Sequence, residues 1–159
     1  MCVFYITMFK SKCFPRKEVY DIKKLPSYVP DVTKGVVIKV YDGDTITIAA
    51  KLKYWFSPTY KFQVRLNGID CAELHTKNVC EKSHAIIARD ALSKRIMDET
   101  VYLQNVGTDK YGRLLADVYY NGQNMCEWML TSNYAVPYDG KTKQRSVAWD
   151  LPVCDLSKE

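Results

Sequence analysis

The strongest constraint on the fold is a pair of alternating β-branched segments on either side of Asp42-Gly43. Residues 36–41 and 45–48 alternate as strands do, because successive side chains of a strand point to opposite faces. An Asp-Gly pair between such segments favours a type I′ hairpin turn, which requires positive φ at both central residues. The pattern predicts a β-hairpin in which Asp44, in phase with the isoleucines that follow it, points inward. A carboxylate placed there needs a cationic partner.

The rest of the chain contains further strand and helix patterns. A third strand ends at Asn67-Gly68, and two more cover residues 100–106 and 112–120. Asn78 is placed to cap a helix that runs to about Asp98, because apolar residues recur there at helical spacing. A second short helix covers residues 124–132, and a turn after Tyr138 leads into a third. Three strands, a helix, two strands and a helix predict an α+β, mainly β fold: a five-stranded OB-fold barrel with about three helices.

Composition limits the class of protein without deciding its function. The 159 residues are 47% hydrophobic and 26% charged, with a net charge of +5, which is typical of one globular domain and compatible with an acidic partner. We expect an N-terminal extension over 1–33, a barrel domain over 34–150 and a tail over 151–159. The extension is basic and interrupted by prolines, and it is either a partly ordered arm packed on the barrel or an arm that contacts nucleic acid.

The six cysteines form no tight pairing pattern, and the apolar N-terminus lacks a basic region before it. We therefore expect reduced thiols, no secretory signal and an intracellular location, while the even number of cysteines leaves disulfide formation as the alternative.

Three short segments hold the residues that carry chemistry: 42–45, 65–73 and 109–113. Asp44 and Asp70 supply carboxylates, which are the hard oxygen ligands that Ca²⁺ prefers. Arg65 and Arg113 suit a phosphate, because the guanidinium fork donates two bonds and keeps its charge. Glu73 can orient or deprotonate water without binding the metal.

The strand alternation sets a condition on this site. Arg65 and Asp70 are an odd number of residues apart, so a regular strand would place them on opposite faces. They can face one site only if the strand breaks, and Gly68 is the residue at which it can.

The chain resembles the staphylococcal nuclease (thermonuclease) family over about residues 34–150. The motifs VYDGDT, RLNGIDCAE and DKYGRLLA carry the resemblance. It implies that the calcium ligands are the carboxylates of Asp44 and Asp70 and the backbone carbonyl of Cys71. It also implies catalytic roles for Arg65, Glu73 and Arg113. Lys110 and Tyr111 match positions that contact a terminal phosphate.

The resemblance implies a Ca²⁺-dependent nuclease. Such an enzyme cleaves single-stranded DNA and RNA with little sequence preference and leaves 3′-phosphate and 5′-hydroxyl ends. The alternative is a catalytically inactive barrel that binds nucleic acid or protein. The expected partner is single-stranded nucleic acid, with no membrane, and the chain is expected to be monomeric.

Two segments depart from the family pattern. Cys71-Ala72 stands where the family usually has Thr-Pro, which removes a hydroxyl and makes the turn less rigid. Residues 136–140 are similar to copies carried by eukaryotes and their large DNA viruses. Within that segment, Tyr138 either stacks on a base or only packs.

Overall fold

A computed structural model of the chain describes residues 20–21, 23–140 and 146–151. Five strands form the barrel: β1 Lys34–Val40, β2 Thr45–Lys51, β3 Thr59–Leu66, β5 Thr100–Thr108 and β6 Leu114–Tyr120. The helices are α1 Val79–Ile96, α2 Met125–Thr131 and a 3-10 helix at Val147–Asp150. Three two-residue strands complete the set: β4 Ile69–Asp70, β7 Gln123–Asn124 and β8 Val136–Pro137. The predictions for residues 1–19, for the segment 141–145 and for the tail beyond residue 151 lie outside the described residues.

The barrel closes through one parallel contact. The sheet order is β3-β2-β1-β5-β6, and β3 then pairs in parallel with β6, with Val64 opposite Leu114. Side chains such as Ile46, Ile48 and Val64 are fully buried inside. Each contributes about 1.5–3 kcal/mol by leaving water. The predicted α+β, mainly β five-stranded barrel is confirmed.

α1 begins where the sequence predicted, and α2 begins one residue later than predicted. The Asn78 side chain accepts hydrogen bonds from the backbone N–H groups of Cys80 and Glu81, and Asn124 caps α2 in the same way. These bonds satisfy donors that a helix start leaves unpaired. The apolar stripe of α1 is buried: Ala88, Leu92 and Ile96 pack in the barrel core, and Ala85 packs in a smaller cluster beside it. Within the described residues, no helix has both the length and the apolar character needed to span a membrane.

The first hairpin forms as predicted, but its turn does not. β1 and β2 pair antiparallel, and residues 41–44 connect them. Neither Asp42 nor Gly43, both within the described part of the chain, adopts the positive φ that a type I′ turn requires. The type I′ prediction was therefore wrong here. Positive φ at two consecutive residues occurs instead at Asn121 and Gly122, with values of 48° and 77°, where β6 turns into β7.

Gly43 is required by packing rather than by its backbone angles. A Cβ added there would lie 2.7 Å from the Cys71 sulfur and 3.0 Å from the Ala88 Cβ. The hairpin connection is thus pressed against the segment after β4 and against α1. This contact holds the β1–β2 connection, and Asp44 with it, close to the rest of the barrel.

We expect Gly43→Ala to lower the free energy of unfolding by about 1–3 kcal/mol, because the added methyl overpacks a closed contact. Gly107→Ala is the matched control, since the nearest atom to its added Cβ is 4.0 Å away and its φ is not positive. Urea denaturation of both variants checks the prediction. Adding Cys71→Ala should recover part of the loss in Gly43→Ala. Equal stability of the two glycine variants would contradict this account.

Candidate active site

A cavity of about 290 Å³ lies where the β1–β2 connection, the end of β3 and the β5–β6 loop meet. All nine residues predicted as site residues line it: Asp44, Arg65, Asp70, Cys71, Glu73, Lys110, Tyr111, Arg113 and Tyr138. Asp42 and Ala72 complete the lining. The barrel thus brings together the three predicted segments and, from a fourth part of the chain, Tyr138.

Arg65 links the two buried carboxylates at the centre of the cavity. Its guanidinium contacts the Asp44 carboxylate through Nη1, and its Nη2 lies 3.2 Å from Asp70 Oδ1. Nη2 also donates to the Ile69 carbonyl at 3.1 Å. Burial alone would lower the pKa of the guanidinium, but the charges and hydrogen bonds of Asp44 and Asp70 raise it above its ordinary value. Arg65 therefore stays charged, and its single positive charge offsets part of the combined charge of the two carboxylates.

A turn after β3 places Asp70 within reach of Arg65. The chain turns at Asn67-Gly68, where Gly68 has a φ of +72°, and then forms the short strand β4. Asp70 pairs with Val136 of β8, and the Tyr138 N–H donates to the Gly68 carbonyl at 2.9 Å. The predicted break at Gly68 is present. The tyrosine ring lies 5.6 Å from the Arg65 guanidinium carbon, so one face of the ring contacts this cation.

The β5–β6 loop orients Arg113 locally. Asp109 Oδ2 accepts from Arg113 Nε at 2.7 Å, while Oδ1 accepts from the backbone N–H groups of Tyr111 and Arg113 at 2.9 Å. Desolvation opposes ionisation of Asp109, but these bonds outweigh it and lower its pKa. Arg113 Nη1 also lies 3.5 Å from the Thr45 hydroxyl, which donates to Asp44 Oδ1 at 2.8 Å. This chain of contacts connects the two arginines through Thr45 and Asp44.

Lys110, Tyr111 and Glu73 lie at the exposed rim of the cavity. The Tyr111 ring is 5.0 Å from Lys110 Nζ and 5.7 Å from the Arg113 guanidinium carbon. The rim therefore presents two cations beside one aromatic ring, with the Glu73 carboxylate at the same opening.

Sequence reasoning gave no role to Asp42, Thr45 or Asp109. Two signals were available: Asp42 stands two residues before Asp44, and Asp109 stands four residues before Arg113. Burial and the charge of Asp44 raise the pKa of Asp42 to about 7. Asp42 also accepts a 3.2 Å hydrogen bond from the Asp44 N–H. Near neutral pH this carboxyl is therefore only partly ionised.

The thiol of Cys71 does not take part as an anion. Burial raises its pKa well above the usual range, and the carboxylates of Asp44, Asp42 and Asp70 raise it further. Its side chain packs against Gly43 in the hydrophobic core. The group through which Cys71 can act in the cavity is therefore its backbone carbonyl.

The donor chemistry of the cavity fits a hard cation held by two carboxylates. Asp44 and Asp70 converge on the same guanidinium, so two hard oxygen donors face one position. In the part of the chain that the structure describes, no three His, Cys, Asp or Glu side chains are grouped to hold a metal ion. A divalent ion would therefore depend on these two carboxylates, with carbonyl oxygens and water for the remaining positions.

Fold and site together define a small barrel that concentrates two arginines and several carboxylates in one polar cavity. Residues 63–150 match the family model of the staphylococcal nuclease homologues. The match covers more than half of the chain, and the chain belongs to this family.

Two curated relatives are similar over about two thirds of the chain. One is an uncharacterized endonuclease of Haemophilus influenzae, 35% identical over 107 residues, which are 64% of this chain and 51% of that protein. The other is an uncharacterized protein of Bacillus anthracis, 32% identical over 109 residues, which are 67% of this chain and 48% of that protein. The chain spans about half the length of each of them.

The raised pKa of Asp42 predicts a specific pH dependence of stability. The folded protein holds the Asp42 proton more tightly than the unfolded chain does. The stability that protonated Asp42 contributes to the free energy of unfolding is therefore lost as pH rises from 3.8 to about 7. Relative to wild type, Asp42→Asn should become progressively more stable across that window when a chelator is present. Urea denaturation at several pH values measures the difference. The exposed Asp98→Asn serves as the control and should show no such trend. A stability difference for Asp42→Asn that stays constant with pH would refute the assignment.

Proposed function

We propose that the protein is a Ca²⁺-dependent nuclease that hydrolyses phosphodiester bonds of single-stranded DNA and RNA. The observation that carries this proposal is the cavity in which Arg65 joins Asp44 and Asp70 while Arg113 lines the same space. Family membership and the similarity to the uncharacterized endonuclease of Haemophilus influenzae support it. The proposed products carry 3′-phosphate and 5′-hydroxyl ends.

The arginines are the proposed phosphate ligands. Water attacks phosphorus and the bond to the 5′ oxygen breaks, so negative charge develops on the phosphate oxygens and on the leaving oxygen. Two preorganised guanidinium groups stabilise that charge in a partly buried site, where they act more strongly than in water. Asp109 holds Arg113 in place, and the two buried carboxylates hold Arg65.

Glu73 is the proposed water-positioning carboxylate. It stands at the open rim, where solvent enters the cavity, and a carboxylate there can accept a hydrogen bond from water or remove its proton. Lys110 and Tyr111, on the same rim, are proposed to contact a terminal phosphate.

Asp44, Asp70 and the Cys71 carbonyl are the proposed calcium ligands. Bound calcium would supply positive charge that polarises the phosphate and orders water. In the structure, Arg65 provides the counter-charge for the same two carboxylates. The guanidinium and a divalent cation are therefore alternative partners for these two carboxylates. When a bound cation compensates the charge of the carboxylates, Arg65 becomes available to bind phosphate.

We expect Arg113→Ala to lower the rate of single-stranded DNA cleavage in millimolar Ca²⁺ by about 10³-fold or more, the effect typical of a phosphoryl-transfer arginine. Arg89→Ala is the matched control, because Arg89 is also paired with an aspartate, Asp90 at 2.7 Å, but on the surface of α1. The control should cleave at the wild-type rate. If the folded wild-type protein bound DNA but did not cleave it, the activity would be refuted and the inactive binding module supported.

Removing Arg65 should change how strongly calcium affects stability. Arg65→Ala leaves two buried carboxylates without their counter-charge, which destabilises the chelated protein by about 3–5 kcal/mol. Because a competing cation is gone, added Ca²⁺ should raise the Tm of this variant more than that of wild type. Differential scanning calorimetry with and without Ca²⁺ tests this, with Arg89→Ala as control. A calcium-dependent rise in Tm no larger than that of wild type would contradict the proposed ligand pair.

A further inference from the structure

We propose that the β2–β3 hairpin extends the nucleic-acid site, with Trp55 and Phe56 at its tip stacking on bases of the strand held at Arg65. The proposal rests on the proposed function for the identity of the strand. It concerns the face of the hairpin that begins at Arg65 and the tip at the end of the hairpin away from the cavity.

The tip of the hairpin exposes two large aromatic rings. Trp55 is 84% exposed and Phe56 is 90% exposed, and the rings meet edge to face with centroids 5.6 Å apart. Neither ring contributes to the core, so the stability of the fold does not explain why large aromatic residues occupy these two positions. Exposed aromatic faces are what sequence-tolerant binding of single strands uses, because every base has a π-face.

The loop that carries these rings is ordered by hydrogen bonds. Ser57 is buried; its hydroxyl accepts from the Leu52 N–H at 2.9 Å and donates to the Pro58 carbonyl at 2.9 Å. The Ser57 N–H donates to the Tyr54 carbonyl at 3.2 Å, which closes a turn around the two rings. The turn forces Phe56 to a φ of +67°, an unusual conformation for a bulky residue. A strained aromatic residue held out in solvent indicates binding rather than packing.

One face of the hairpin leads from Arg65 to this tip. On β3, Val64 and Leu66 are buried, whereas Lys61 and Gln63 share the opposite face with Arg65 and are exposed. The pairing with β2 continues this face in rows: Arg65 with Thr45, Gln63 with Thr47, Lys61 with Ala49, and Thr59 with Lys51. Successive rows are about 6.6 Å apart, so the face extends about 20 Å from the arginine to the last pair.

The charge along this path suits a phosphate backbone. Residues 45–65 include Lys51, Lys61 and Arg65 and no acidic residue, and their fourth cation, Lys53, lies 3.9 Å from the Asp31 carboxylate outside the hairpin. Lys39 of β1 adds a further cation beside the row that contains Thr47. Lysines bordered by aromatic rings could equally suit an anionic membrane surface, since aromatic and basic side chains favour that interface. The continuity of the basic face with the phosphate-binding arginine favours the nucleic-acid strand.

Binding is measured without cleavage, by fluorescence anisotropy in chelator with an oligonucleotide of about 12 nucleotides, within the range one OB fold covers. Trp55→Ala and Phe56→Gly should each weaken binding roughly tenfold or more, because each removes one base–aromatic stack. Phe56→Gly keeps the turn, since glycine accepts positive φ freely. Tyr28→Ala, which removes a ring that is 76% exposed outside the hairpin, should leave binding unchanged.

The lysine face is tested separately. Lys61→Gln should reduce the slope of log K against log salt by about 0.7, the value for one phosphate contact on a single strand. Lys94→Gln, with the same change of charge on α1, should leave the slope unchanged.

A second assay separates failure of this proposal from failure of the proposed function. Cleavage of a dinucleotide in Ca²⁺ depends on the cavity alone and should be equal in Trp55→Ala, Phe56→Gly and wild type. If wild type did not cleave the dinucleotide, the activity would be refuted, whereas ring-dependent binding of the long oligonucleotide would still support the surface. Unchanged oligonucleotide affinity in both ring variants would overturn the proposal. Unchanged affinity together with ring-dependent binding to phosphatidylserine vesicles would overturn it in favour of a membrane surface.

Discussion

The site depends on one ionic arrangement, the guanidinium of Arg65 between the carboxylates of Asp44 and Asp70. Two carboxylates this close and this buried repel one another and lose hydration, so they require a cation between them. Three backbone features bring the groups together: the connection after β1, the turn at Gly68 and the short β4–β8 pair. Each would be hard to explain as part of a plain barrel, and each is explained by the need to place these charges in one cavity.

The two arginines are positioned by different physical means. Arg65 is fixed by contacts with buried carboxylates that are brought to it by the fold. The stability of the fold in turn depends on the charge of Arg65, because that charge compensates the buried carboxylates. Arg113 is fixed within its own loop by Asp109, and the parallel β3–β6 contact then brings that loop to the cavity. Arg113 can therefore be altered with little effect on the fold, whereas Arg65 cannot.

Strong local patterns predicted most of this architecture, because they act within a few residues. Asn78 marks a helix start through its own side chain, and the parity of Arg65 and Asp70 required a break at Gly68. Features set by distant contacts were missed or wrong. The β4–β8 pair is too short for any periodicity, and the pKa of Asp42 depends on burial that only the folded chain creates. The prediction for the Asp42-Gly43 turn was wrong because a glycine at position 43 is required by the close approach of the Cys71 sulfur, and not by a positive φ.

The same contact explains how the chain accommodates Cys71-Ala72, where its family usually has Thr-Pro. A proline would stiffen this turn by fixing φ. Here Cys71 is buried against Gly43, and Ala72 packs with Ala85 of α1 and Trp149 of the 3-10 helix in a small second core. Tertiary packing of Cys71 and Ala72 thus restricts the segment between Asp70 and Glu73, which a proline ring would otherwise restrict. Because the thiol is neutral and turned into the core, the substitution leaves the Cys71 carbonyl as the group with which this residue can serve the cavity.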